Sequence, residues 1–142
     1  MPHSLAMFDE FEPDNGAGGS ESTVSRPLEI SNAISRLHKE FIGRGPTNSR
    51  TTIDGNLVVC LLEGGYTRAE QTLGANDKAD LVLAARLGLQ EAMRQAMIAA
   101  VEQVTGRRVY SFMSANDLEQ NLQVEVFVLT PEQDLGSGGL GG

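Results

Sequence analysis

Residues 49–63, SRTTIDGNLVVCLLE, decide the fold because they place two strand-forming runs on either side of an Asp-Gly pair. Asp54-Gly55 suits a type I′ hairpin turn, in which both central residues need positive φ. The second run, 57–62, is apolar on both faces, which is typical of an interior strand covered on both sides. We therefore expect helices on one side of the sheet and a second subunit on the other.

A helix precedes this hairpin, over about residues 28–42. Its apolar residues recur at helical spacing: Ile30, Ile34, Leu37 and Phe41. Gly43 follows at the position where a helix often ends in glycine, and Pro46 prevents the helix from continuing. The predicted order is therefore helix, strand, turn, strand.

Two more helices follow the hairpin. Thr67 and Glu70 form a capping-box pattern that starts a short helix. A long helix is predicted over about 77–105, capped by Asn76 or Asp77 and ended by Gly106. Its predicted apolar stripe is Leu81, Ala85, Leu89, Ala92, Ala96, Ala100 and Val104, extended by Met93, Met97 and Val101. At ~1.5 Å per residue it exceeds what a small sheet needs, so it either bends or packs partly on a partner.

Two further strands, RRVYSFMS (107–114) and LQVEVFVL (122–129), close the domain. The second has a strand alternation, with Leu122, Val124, Val126 and Val128 on one side and Gln123, Glu125 and Phe127 on the other. The element order is α-β-β-α-α-β-β. It predicts an α+β two-layer sandwich, with an antiparallel four-stranded sheet made of two hairpins and helices on one face.

The chain of 142 residues has room for one such domain, predicted at 27–131. Residues 1–26 read as a disordered acidic tail and 132–142 as a flexible Gly-rich tail. Within the first tail, LAMFDEF (5–11) is either a docking peptide or an unstructured terminus. The net charge is -8, with 19 acidic and 11 basic residues, which argues against a nucleic-acid partner. With neither a bilayer-spanning run nor a secretory signal, we expect a cytoplasmic protein.

The residues that most often carry chemistry are few. Cys60 lies in the middle of an apolar strand, so we expect a buried, inert thiol with a raised pKa. His38, beside Lys39 and Glu40, is interpreted as a surface or boundary histidine. No metal-ligand spacing and no Ser-His-Asp arrangement is present, so we predict no catalytic residue, no metal and no cofactor.

One cluster of basic and hydroxyl residues favours an anion site. Gly43-Arg44-Gly45-Pro46 follows a helix and leads into a strand, which is the reverse of a nucleotide phosphate loop. A simpler phosphate or carboxylate site remains open, since guanidinium groups and hydroxyls beside glycines suit such anions. Its candidate residues are Arg44, Thr47, Arg50, Arg68, Arg107 and Arg108. The alternative is that these arginines are solvated or pair with Glu63, Glu70 and Asp117.

Several blocks of the chain resemble the bacterial MpsC-like family. They are Lys39-Glu40-Phe41 with Gly43-Arg44-Gly45-Pro46, then 57–64, 69–73, and Thr105-Gly106-Arg107-Arg108. The resemblance spans about residues 28–130 and excludes both tails. It implies an accessory or regulatory protein near a transport system linked to cation translocation, membrane potential or inorganic-carbon uptake. It supplies no catalytic residues.

Three hypotheses follow. The first is a non-catalytic accessory or regulatory protein of ion or bicarbonate transport, forming a homodimer and joining a membrane transport complex. The second is a homodimeric sensor that binds a small anion or nucleotide at the arginine-lined site. The third is an enzyme of unknown reaction, which would need a cleft joining distant residues such as His38 and Glu63.

Overall fold

The structure, a computed structural model, describes residues 25–131. Its elements in chain order are α1 (Arg26–Ile42), β1 (Asn48–Asp54), β2 (Leu57–Glu63), α2 (Arg68–Ala75), α3 (Ala79–Thr105), β3 (Val109–Asp117) and β4 (Leu122–Leu129). This is the predicted order. The predictions for residues 1–24 and 132–142, including that for 5–11, lie outside the described residues.

The four strands form one antiparallel sheet in the order β1-β2-β4-β3. Strands β2 and β4 are therefore interior, as the apolar character of 57–62 indicates. Helix α1 packs on β1 and on α3, and α3 packs on β3, so these helices lie against the sheet. The predicted α+β fold is confirmed.

The turn between β1 and β2 differs from the prediction. Asp54 pairs with Leu57, so the two central residues are Gly55 and Asn56 rather than Asp54 and Gly55. Only Gly55 has positive φ, at 62°. This is the pattern of a type II′ turn, in which glycine occupies the first central position.

Both ends of α1 follow from local sequence. The Ser25 hydroxyl accepts a hydrogen bond from the Leu28 amide at 3.3 Å, and Pro27 fits the first turn, so the helix begins at Arg26 rather than at residue 28. Gly43 ends it in the left-handed conformation, with φ of 92°. The Gly43 amide donates to the Lys39 carbonyl at 2.9 Å.

The two later helices start differently. The predicted capping box of α2 is confirmed, with the Thr67 amide 2.8 Å from Glu70 Oε1 and the Glu70 amide 3.1 Å from Thr67 Oγ1. The predicted cap of α3 is wrong. Asn76 instead ends α2, Asp77 has a φ of 61°, and Lys78 precedes α3 without a side-chain cap.

The buried stripe of α3 is also displaced from the predicted one. Leu81, predicted to be on the apolar stripe, is 58% exposed, and Ala85 and Ala92 are exposed as well. The buried residues are Val82, Arg86, Gln90, Met93, Met97, Val101 and Thr105. Because α3 is apolar around most of its circumference, periodicity alone did not identify the stripe, which includes a buried arginine and glutamine.

We call the helix-covered side of the sheet the inner face. Its core cluster comprises Ile30, Ile34, Val58, Cys60, Leu62, Met93, Met97, Val101, Phe112, Phe127 and Leu129. In β4 the alternation is as predicted, but the buried set is the one that carries Gln123 and Glu125. The all-apolar set of β4 lies on the opposite side, which no element within residues 25–131 covers.

We call that opposite side the outer face. Strand register places its side chains in four rows across β1, β2, β4 and β3: Asp54-Leu57-Val128-Ser111, Thr52-Val59-Val126-Met113, Arg50-Leu61-Val124-Ala115 and Asn48-Glu63-Leu122-Asp117. Nine of these sixteen residues are apolar, and none of the sixteen is buried. Met113 is 52% exposed and Leu57 39%.

Candidate functional site

The Gly64-Gly65-Tyr66 turn after β2 is the point where the largest number of polar side chains meet. Gly64 has a φ of 73°, and a Cβ there would collide with the Thr47 side chain. Arg44 donates to the Gly64 carbonyl from Nε at 3.2 Å and from Nη2 at 2.9 Å. The Asn121 carbonyl accepts from the Gly64 amide at 3.0 Å. The turn thus joins the loop after α1 to the β3–β4 hairpin.

Arg86 of α3 reaches the same turn from inside the protein and is fully buried. Its Nη2 donates to the Gly65 carbonyl at 2.8 Å, and its Nε and Nη2 each lie 2.7 Å from a Glu70 oxygen. Its Nη1 donates to Gln123 Oε1 at 3.1 Å, and its guanidinium stacks 4.6 Å from the centre of the Tyr66 ring. A bidentate ion pair of this kind fixes the orientation of the arginine and balances its charge.

An amide cluster extends this network across α3, β3 and β4. Asn116 Oδ1 accepts from Gln123 Nε2 at 2.9 Å, from Gln90 Nε2 at 3.1 Å and from the Tyr66 hydroxyl at 3.2 Å. Asn116 Nδ2 donates back to Gln90 Oε1 at 3.2 Å. These side chains satisfy one another's hydrogen-bonding groups, so the role of the network is to hold α3, β3 and β4 together.

The electrostatics of the network agree with that role. Burial alone would raise the pKa of the Glu70 carboxyl, but hydrogen bonds from Arg86 and Thr67, with the Arg86 charge, hold this pKa below its usual value. Burial raises the pKa of the Tyr66 phenol to about 12 despite the nearby Arg86 charge. At neutral pH, Glu70 is therefore ionised and Tyr66 is a neutral donor.

A second buried polar group lies between α1 and the centre of the sheet. Glu125 is fully buried, His38 is 2% exposed, and His38 Nε2 lies 3.4 Å from Glu125 Oε2. His38 Nδ1 is 3.0 Å from the Ile34 carbonyl, which can only accept, so Nδ1 carries a proton. The Ser114 hydroxyl donates to Glu125 Oε1. His38 Nε2 and Glu125 Oε2 are both buried without a hydrogen-bond partner among residues 25–131.

The prediction that His38 is a surface or boundary residue is therefore wrong. Its position in α1, four residues after Ile34, places it on the apolar stripe over the sheet. Glu125, at the middle of the inner face, is the partner that makes its burial tolerable. The sequence did contain a signal for this pair. His38 in α1 and Glu125 in β4 are polar residues at positions where the periodic pattern of each segment expects a core residue.

Cys60 is placed as the sequence predicts. It is fully buried on the inner face, where burial raises the pKa of its thiol to about 12, beside the Thr51 hydroxyl. At neutral pH the thiol is protonated and weakly nucleophilic. Within residues 25–131, no group of three or more His, Cys, Asp or Glu side chains is arranged to hold a metal ion.

The predicted anion-site residues fall into separate places. Arg44 and Thr47 lie at the Gly64 end of the sheet, where the Thr47 hydroxyl donates to the Glu63 carbonyl at 3.1 Å. Arg107 lies at the other end, about 20 Å away by strand length, and donates to the Gly55 and Thr130 carbonyls at 3.0 and 2.8 Å. The exposed Arg108 precedes β3 beside it.

The remaining two predicted arginines are elsewhere again. Arg50 is on the outer face opposite Leu61, and Arg68 is the first residue of α2. The structure thus does not bring the six residues into one site. The predicted partners also differ, because Glu70 pairs with Arg86, a residue that the sequence interpretation did not single out.

A surface groove lies beside the Gly43–Pro46 loop. It has a volume of about 630 Å³ and is lined by Ser35, Arg36, Lys39, Glu40, Gly45 and Pro46. Two exposed cations, Arg36 and Lys39, project from successive turns of α1 at its edge. This groove is the part of the predicted region that is open to a ligand.

None of the three helices within residues 25–131 combines the length and apolarity needed to cross a bilayer. The chain is 29% identical to YrhF of Bacillus subtilis (strain 168), over 75% of this chain and 88% of that protein. It is also 29% identical to YbcI of the same strain, over 72% of this chain and 96% of YbcI. Both relatives are described as uncharacterized. No solved structure matches at a significant level.

The family comparison covers the entire described domain. The sequence profile described as "Na+-translocating membrane potential-generating system (MpsC)" matches residues 25–131. That range contains α1 through β4 and both buried polar groups. The chain therefore belongs to the MpsC family.

Proposed function

We propose that this protein is a non-catalytic accessory or regulatory component of an ion or bicarbonate transport system. It acts in the cytoplasm by contact with another protein of that system. The family description supports the association with a membrane-potential-generating system. The physical observation that carries the proposal is apolar surface on the outside of α3.

The first half of α3 exposes leucines to solvent. Leu81 and Leu87 are each 58% exposed and Leu83 is 36% exposed. Between them, Ala84 and Ala85 are exposed, and the space beside Gly88 is open. Leucines that flank small residues form a surface on which a helix of a partner protein can pack closely.

The buried polar groups of the interior support a non-catalytic role. Arg86 is paired with Glu70, and Glu125 accepts from Ser114 and faces His38, so none of these groups is arranged around an open cleft. Glu125 and His38 are closed to solvent, so a substrate would reach them only if α1 moved away from the sheet. These groups stabilise the fold and hold the Gly64-Gly65-Tyr66 turn in place.

The test is genetic and electrical. In a strain that lacks the gene, we expect a lowered membrane potential, measured with a potential-sensitive dye at controlled external Na⁺. Wild-type protein should restore it, whereas Leu87→Glu should not. Gln103→Glu, an exposed change on the same helix, is the matched control and should restore it. An unchanged potential in the deletion strain, or full restoration by Leu87→Glu, would contradict the proposal.

The groove beside the Gly43–Pro46 loop favours a second candidate, a sensor of a small anion. Arg36 and Lys39 supply positive charge against the single carboxylate of Glu40, and the groove is open. Arg44 lies on the adjoining loop, although two of its N–H groups already bond to Gly64. In this candidate the ligand contacts the groove, and Arg107 and Arg108 take no part.

Thermal-shift measurements with inorganic phosphate, sulfate and ATP test this candidate. We expect at least one of them to stabilise the wild type and Arg108→Gln, which lies at the far end of the sheet. The same anion should not stabilise Lys39→Gln. Equal shifts for all three proteins would show non-specific ion effects and would contradict the sensor.

A further inference from the structure

The outer face of the sheet has an apolar centre that no element within residues 25–131 covers. Its four strands, ~4.8 Å apart, and about 23 Å of strand length give a projected area of about 450 Å². Contiguous apolar patches of this order mark interaction sites. Accessible area exceeds projected area on a side-chain surface, so the face approaches the roughly 600 Å² per subunit of small stable interfaces.

The shape of the face limits what can cover it. Its centre consists of short aliphatic side chains, Val59, Leu61, Val124 and Val126, in two adjacent rows. Sheets of this kind pack face to face about 10 Å apart, with their strands aligned within about 30°. A second flat aliphatic sheet fits such a surface closely, and this chain itself supplies one.

The charges at the edge of the face limit the occupant further. Asp54, Glu63 and Asp117 lie on its margin against one cation, Arg50. This negative balance disfavours an anionic lipid surface, and a second copy of the face can meet it only through specific charge pairs. The side chain of Arg50 makes no hydrogen bond or ion pair with any residue of 25–131.

We infer that the outer face binds the outer face of a second copy of this chain, giving a symmetric dimer with an eight-stranded sandwich at its centre. This inference is independent of the transport role proposed above. A two-fold axis parallel to the strands stacks β1 of one subunit on β3 of its partner. Each Arg50 then lies over the partner subunit's Ala115, one row from the partner subunit's Asp117 and within reach of its carboxylate, and the symmetry repeats this charge pair at the opposite edge.

The strand order of this dimer can be tested by charge exchange. Sedimentation velocity of the full chain at about 1–100 µM should show the wild type as a dimer at the upper concentrations. Arg50→Asp and Asp117→Arg should each raise the dissociation constant about tenfold, because each creates two like-charge contacts. The double variant Arg50→Asp/Asp117→Arg should return to within about threefold of the wild type.

A central substitution tests the face itself. Val126→Lys should sediment as a monomer at every concentration, because two lysines would be buried against each other. Gln95→Lys, on the exposed side of α3, is the control and should remain a dimer. Circular dichroism should show that both variants fold. A monomeric wild type, or a dimeric Val126→Lys, would overturn the proposal, and failure of the double variant to recover would overturn the β1-on-β3 arrangement.

Discussion

The two faces of the sheet are more alike in composition than their different environments would suggest. The inner face is covered by helices and yet contains Glu125, Gln123 and, close by, Arg86. The outer face is uncovered within the described chain and yet is aliphatic at its centre. Burial in this protein therefore follows the availability of polar partners and covering elements.

The largest expected effect concerns the inner side. Arg86→Ala should lower the free energy of unfolding by about 3–5 kcal/mol, because it leaves Glu70 partly buried and unpaired and opens a void beside Tyr66. Chemical denaturation measures this loss. Arg36→Ala, on the exposed side of α1, is the control and should change it by less than about 0.5 kcal/mol. Similar losses of unfolding free energy for Arg86→Ala and Arg36→Ala would contradict the stabilising role given to the inner side.

A matched pair of neighbours tests the difference between the faces with identical chemistry. Val58 is fully buried on the inner face, whereas Val59 is on the outer face. In a Val126→Lys background, where association does not contribute, Val58→Ala should cost about 2 kcal/mol of unfolding free energy. Val59→Ala should cost less than about 0.5 kcal/mol. A reversed order of the two losses would show that the outer face is the better packed one.

A smaller effect is a dependence of stability on acid. The pKa of Glu70 is lower in the folded state than its usual value of 4.5. The folded state therefore gains stability above that value and loses it as the pH falls through the folded pKa. Unfolding free energies between about pH 7 and pH 3 should fall more steeply for the wild type than for Glu70→Gln. Parallel curves would mean that the Arg86 pair contributes no pH-dependent stability.

The smallest expected effect is the lack of reaction of the Cys60 thiol on the inner face. Burial raises the pKa of Cys60 to about 12, so at pH 8 its thiol should not react with a maleimide while the protein is folded. In denaturant it should react completely. A Val59→Cys variant, one residue away on the outer face, should react in the folded monomer. Rapid labelling of Cys60 without denaturant would indicate that α1 separates readily from the sheet.

Much of the fold could be predicted from the sequence because it depends on local signals. The Ile30 and Ile34 part of the α1 stripe, the Thr67–Glu70 capping box and the two strand pairs each lie within one short segment. Phe41, predicted on the same stripe, is 43% exposed. Strand β2, by being apolar on both faces, also predicted cover on both of its sides, and no element within residues 25–131 covers the second side. This feature is what the outer face shows in three dimensions.

The errors came from positions whose partners lie far away in sequence. Arg86 is buried because Glu70 and Gln123, on other elements, accept its hydrogen bonds. His38 is buried against the inner face of the sheet, where it faces Glu125 of β4. Likewise, the predicted anion site failed to assemble because its arginines are attached to opposite ends of the strands, which spacing along the chain does not reveal.

The concentration dependence of the urea midpoint tests the central claim most directly, namely that the inner face stabilises the subunit and the outer face joins two subunits. Over about 1–100 µM, the wild-type midpoint should rise with protein concentration, because dimer formation is linked to folding. The Val126→Lys midpoint should stay constant. A wild-type midpoint that does not change with concentration would contradict the claim.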